Sequence, residues 1–238
     1  MLTTNNREAG KALRVESQSD SATIYLYGVI DEYYGVSAEV FSRELEALKG
    51  KRVTLRINSP GGDVFDGRAM YSAVRQHGNV SAQIDGLSAS AASFVALAAK
   101  SVSMIEGGFM MIHNAWTFAF GNKNDFIELA DLLDKFDHAI INDYIKKTGK
   151  TRDEIAAMMD AETWMNTEDA LSMKFIDTVF DGDESAENVQ ANDAWDLSAF
   201  DNAPKALTDS RKNVAELAWQ QKRAQAERRL RLLNASMN

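Results

Sequence analysis

Apolar positions along the first 180 residues switch between two periods, and each switch predicts a change from strand to helix. Residues 22–30 (ATIYLYGVI) and 53–57 (VTLRI) are dense in β-branched and aromatic side chains, as strands are. Between them Val40, Phe41, Leu45 and Leu48 recur at helical spacing, with Ser37 as cap and Gly50 as stop. The alternation continues with a helix over 67–75, a strand over 80–84, a small-residue helix over 90–99, and strands at 102–105 and 109–112. From Asn124 to Thr148 the residues Phe126, Leu129, Leu133, Phe136, Ile140, Ile141 and Tyr144 share one stripe, and Gly149 follows, which predicts one long helix. Thr151 and Glu154 make a capping-box signature, a short helix is expected after Thr167, and FIDTVF at 175–180 reads as a strand. The pattern is that of a mixed α/β core.

Composition then divides the chain. At 238 residues and 45% apolar content it can bury one sizeable core. We expect a polar N-terminal segment over 1–20, a core domain over 21–180, an acidic linker over 181–204 and a basic helix over 205–238. Residues 181–201 hold seven acids and no Lys or Arg, whereas 205–231 hold eight basic residues against three acids. Uncompensated charge with little apolar content does not offset the entropy of ordering, so 181–204 reads as a linker that Pro204 ends. The basic segment has a thin apolar stripe of Val214, Leu217, Ala218, Leu230 and Leu233, so as a helix it needs a partner or stays solvated.

A net charge of -9 argues against general affinity for nucleic acid or an anionic membrane. The absence of cysteine removes disulfides, a thiol nucleophile and thiolate metal sites. No apolar run approaches the roughly 20 residues of a membrane helix, so a soluble chain without an export signal is expected.

Three stretches carry candidate chemistry. Asn58-Ser59-Pro60-Gly61-Gly62-Asp63 follows a predicted strand, and paired glycines either punctuate a turn or let main-chain N–H groups approach a ligand. Asp85-Gly86-Leu87-Ser88-Ala89-Ser90-Ala91-Ala92-Ser93 joins a strand to a helix through small residues. A serine there has the positive helix end behind it and the next N–H within reach of an oxyanion; Ser88, Ser90 and Ser93 compete, and all three also suit helix capping. Met110-Met111-Ile112-His113-Asn114 places an imidazole directly after an apolar strand. Of the other histidines, His77 is expected in a surface turn and His138 inside the long helix.

SPGG, GLSASAAS, MMIH and a long helix, in that order, resemble the ClpP family of self-compartmentalised serine proteases, the phage and prophage branch in particular. The resemblance covers about 22–180. It implies a ClpP/crotonase-like spiral of β-β-α units with a handle-type helix, and a serine endopeptidase working through an acyl-enzyme on Ser90. By motif, Ser90 matches the nucleophile, His113 the general base, and the N–H groups of Gly62 and Ala91 the oxyanion donors. The third triad position falls on Met158 without a gap; Asp160 is favoured with a two-residue gap. Glu162 and Asp153 are alternatives, as is orientation of His113 by water or Asn114.

The resemblance implies no cofactor or metal, a protein substrate such as a capsid or scaffold protein, and no nucleic-acid or membrane partner. It implies a homo-oligomer, ring-shaped in the family, with residues 124–148 as an interface. It places the chain in the bacterial host cytoplasm, or within phage proheads, as a head maturation protease. The acidic linker and basic helix suit a tether to a scaffold or capsid protein, and equally a tail that is self-cleaved or idle. Three rivals stand beside it: a crotonase-type acyl-CoA enzyme, which shares the fold and the paired N–H pocket but would not need Ser90 with His113; a catalytically idle scaffold component; and a Ser/Lys peptidase on a related fold with Lys100 or Lys123 as base.

Overall fold

The computed structural model describes residues 2–5, 13–181, 197–205 and 207. The chain divides into two compact units, Met1–Glu187 and Asn188–Asn238. In the second, described over 197–205 and 207, a turn links Phe200 N to Leu197 O, and Lys205 and Leu207 are helical with Leu207 N on Pro204 O. Most of the expected linker and basic helix lies outside the described residues.

The first unit runs β1 (Leu2–Asn5), β2 (Leu13–Ser17), β3 (Ser21–Tyr27), α1 (Ala38–Glu46), β4 (Arg52–Ser59), α2 (Val64–His77), β5 (Val80–Ala89) and α3 (Ala91–Leu97). It continues with β6 (Val102–Ile105), β7 (Phe109–Ile112), α4 (Lys123–Thr148), α5 (Arg152–Asp160), β8 (Thr163–Met165), α6 (Thr167–Ser172) and β9 (Thr178–Phe180). The strands form one sheet in the order β1-β2-β3-β4-β5-β6-β9, with β7 on β5 and β8 on β7. The expected α/β core is present, as a ClpP-like fold. Two strands, β1 and β2, occupy the segment read as merely polar, β1 antiparallel to β2 and β2 antiparallel to β3.

Alternation makes the central strands two-sided. In β4, Val53, Leu55 and Ile57 are buried on one face while Thr54, Arg56 and Asn58 look to the other. Against the apolar face lie α1, α2 and α3, and the core joins Phe41, Leu55, Ile57, Met70, Ile84 and Phe94. Ser37 caps α1 by accepting from Val40 N, as expected. Helix α2 begins earlier than the spacing predicts because Asp63 caps it, accepting from Asp66 N. It ends at Gly78, left-handed at φ 68, so His77 is the last helical residue and not part of a turn, and its Nε2 meets Leu48 O at 3.1 Å.

The break that shapes the site lies in β5. Its register with β4 jumps between Ile57/Ile84 and Ser59/Ser88, and Asn58 Oδ1 fills the gap by accepting from Leu87 N at 3.2 Å. Before the break β5 pairs with β6; after it, Leu87–Ala89 pairs with β7. The ends of β4, β5 and β7, three adjacent parallel strands, therefore come together.

Candidate active site

Each of the three predicted stretches leaves the end of one of these strands. Ser90 follows β5 and is the N-cap residue of α3, with φ 52 and ψ -126, a conformation unusual for a residue bearing a Cβ. That sharp strand-to-helix turn lifts the Ser90 hydroxyl above the sheet. His113 follows β7, and its Nε2 lies 2.7 Å from Ser90 Oγ. With Nε2 accepting from the hydroxyl, the ring proton is on Nδ1.

Burial lowers the pKa of His113 below its ordinary value and the charge of Glu162 raises it, burial being the larger effect. The shift favours the neutral imidazole, the form able to take a proton. Ser88 is buried and its Oγ has no hydrogen-bond partner among the described residues; Ser93 is buried and bonded to Ser90 O and the Tyr144 hydroxyl. Of the three competing serines, Ser90 is the one against the imidazole.

The glycine pair closes over this pair of groups. Ile30 N donates to Gly61 O and Asp63 N donates to Ile30 O, each at 2.8 Å, so the intervening N–H of Gly62 turns away from Ile30. A Cβ on Gly61 would stand 2.7 Å from Ser90 Cβ and 2.8 Å from Ala91 N, so this position admits only glycine beside the serine. Ala91 is the first residue of α3, where N–H groups have no intrahelical partner. Gly61 thus stands directly beside Ser90 and Ala91, with Gly62 next in the chain.

The acids are distributed differently from the expectation that favoured Asp160. Asp160 is exposed at the end of α5 and accepts from Asn114 Nδ2 at 2.7 Å. Asp137, on α4, accepts from Ala115 N at 2.7 Å, and burial raises its pKa although that bond lowers it. These two carboxylates hold the chain just past His113. Among the described residues, Glu162 is an acid whose charge acts on His113. Strand β8 runs antiparallel to β7 with Ile112 opposite Thr163, so one further step sets Glu162 beside His113. Glu162 has φ 47, and Trp164 Nε1 donates to its Oε1 at 2.9 Å. Asp153 is exposed in the first turn of α5. The missed signal was β8 itself, too short to show alternation.

Lys100, considered as a base, sits at the wrong end of β5: its N–H bonds Val80 O, about 30 Å of strand from Ser90. Lys123 is exposed in the first turn of α4. Among the described residues no group of three His, Cys, Asp or Glu side chains is placed to hold a metal ion, and no helix is long and apolar enough to cross a membrane.

The Ser90 hydroxyl, the His113 imidazole and the glycine pair thus meet at adjacent strand ends. The Clp protease family matches residues 11–183, so the chain belongs to that family. It is 29% identical over 178 residues to ATP-dependent Clp protease proteolytic subunit 1 of Protochlamydia amoebophila (strain UWE25), covering 71% of this chain and 85% of that protein. It is 30% identical over 133 residues to the ATP-dependent Clp protease proteolytic subunit of Pleurastrum terricola, covering 54% of this chain and 67% of that one.

Proposed function

We propose that the chain is a serine endopeptidase with Ser90 as nucleophile and His113 as general base. The observation that carries this is the 2.7 Å contact between Ser90 Oγ and His113 Nε2 at a left-handed elbow. As Oγ attacks the scissile carbonyl, its proton passes to Nε2, and the N–H groups of Gly62 and Ala91 receive the developing oxyanion. Glu162 stabilises the imidazolium by charge, and Asp160 and Asp137 steady the chain beyond the histidine. The imidazolium returns its proton to the leaving amine. Water, deprotonated by His113, then hydrolyses the acyl-enzyme.

The substrate we propose is a capsid or scaffold protein, processed during head assembly of a phage or prophage by a homo-oligomer, ring-shaped as the family resemblance implies. The tail supports this: the family match ends at residue 183, and beyond it an acidic stretch precedes a basic one suited to tethering. Exposed apolar residues on and before α4 support the assembly.

Mass spectrometry of a co-expressed capsid protein, with wild type and with Ser90→Ala, tests both levels, alongside labelling by a fluorophosphonate. Processing and labelling lost together in Ser90→Ala are the expected result. Labelling of Ser90 with an intact capsid protein would overturn the substrate while leaving the peptidase, and no labelling of a folded wild type would overturn the peptidase.

A further inference from the structure

Ser90 holds a backbone conformation that a residue with a Cβ leaves readily, so something must hold the peptide unit that joins it to Ala91. That unit is planar and trans, with its C=O and N–H pointing in opposite directions, so whatever fixes the oxygen also aims the Ala91 N–H. Ser90 O accepts two hydrogen bonds from one residue: Ser93 N at 2.9 Å and Ser93 Oγ at 2.6 Å. The Ser93 hydroxyl has a single proton, and the carbonyl takes it. The 2.6 Å contact between Ser93 Oγ and Tyr144 Oη therefore uses the tyrosine's proton. The result is a directed chain from the Tyr144 O–H to the Ser93 O–H to the Ser90 carbonyl, in which each bond strengthens the next.

Tyr144 is fully buried on α4, its ring packed edgewise on Phe175 at 5.8 Å. Burial holds its phenol well above the usual range, which favours the protonated, donating form. Ser93 is likewise buried, and no solvent competes for either bond.

We propose that Ser93 and Tyr144 are positioning residues that keep the Ala91 N–H aimed at the oxyanion. The inference rests on the assignment of Ser90 as nucleophile and of the Ala91 amide as oxyanion donor. Neither side chain touches substrate; both act through one peptide plane.

The test uses the full chain, with p-nitrophenyl acetate as acyl donor and phenylboronate as a probe that adds reversibly to Ser90 Oγ and puts an anionic oxygen in the same pocket. Rates are referred to sites titrated with a fluorophosphonate, and Ser90→Ala is run in parallel. Tyr144→Phe is expected to lower kcat per site about 10-fold and Ser93→Ala about 10- to 100-fold, below the full loss of an oxyanion donor. Phenylboronate should weaken by similar factors, with KM and the pH midpoint of the rate unchanged. Because the chain is serial, the double variant should match Ser93→Ala alone.

Wild-type kcat per site and wild-type boronate affinity in either variant would overturn the inference. So would a loss confined to melting temperature and the fraction of titratable sites, which is what mere packing gives. If Tyr144→Phe does not fold, Ser93→Ala decides. Turnover retained by Ser90→Ala would instead remove the underlying assignment of the nucleophile.

Discussion

Gly61 shows how little latitude the elbow allows. At φ 91, with Ala89 O, Ser90 Cβ and Ala91 N all within 2.8 Å of where a Cβ would stand, it has neither the conformation nor the room for a side chain. Gly61→Ala should destabilise the fold by about 1–3 kcal/mol, read from urea unfolding, and abolish fluorophosphonate labelling under conditions where the variant is still folded. Full labelling would show that the elbow tolerates displacement. His113 sets the pH response. Its pKa is lowered in the fold, so between that value and 6.5 the unfolded chain binds a proton that the native one does not. Stability therefore rises with pH through this window, and the acid limb of kcat/KM should have its midpoint below 6.5. Glu162→Gln removes the charge that raises the pKa, so the limb should move further down while kcat falls; Asp160→Asn should leave the limb in place. A limb moved by Asp160→Asn and not by Glu162→Gln would restore Asp160 as the histidine's partner.

Helix α4 is two structures in one element. Its C-terminal part, from Ile140 to Thr148, is packed into the core, and buried Asp143 pairs with Arg68 of α2 and with Lys146. Its N-terminal part stands in solvent with Phe126, Ile127 and Leu132 exposed, and Trp116, Phe118 and Phe120 are exposed in the segment leading to it. The apolar stripe from Phe126 to Tyr144 predicts one continuous helix but cannot say that only one end meets its own subunit, since the same spacing serves either contact. The exposed end is the surface we assign to assembly. Ile127→Asp combined with Leu132→Asp should reduce the particle mass in sedimentation velocity and leave the helical circular dichroism unchanged. An unchanged mass would place the subunit contacts elsewhere.

Across the whole molecule, the outer face of the sheet depends on a cluster assembled from three strands. Asp85 of β5 takes two bonds from Arg56 of β4, each 2.8 Å, and one of 2.6 Å from Tyr27 of β3, with Asp85 almost wholly buried. Asp85→Ala leaves a part-buried guanidinium without its partner and should cost about 3 kcal/mol in denaturant unfolding, with the Ser90 elbow unaffected in labelling. A cost below about 1 kcal/mol would class the pair with surface ion pairs. What the sequence alone determined was local: periodicity and caps placed β4, α1, α3, β6, β7 and α4, and small residues beside Ser90 and Gly61 marked places where backbone conformation matters more than side chains. Those signals are legible because each arises within a few residues of chain. The N-terminal strands β1 and β2, short β8, the meeting of Glu162 with His113 and the bond from Tyr144 to Ser93 were decided only by the tertiary structure. Each depends on sheet register or helix packing between residues tens of positions apart, and register is set by which partner strand is adjacent, a quantity that no local window of sequence contains.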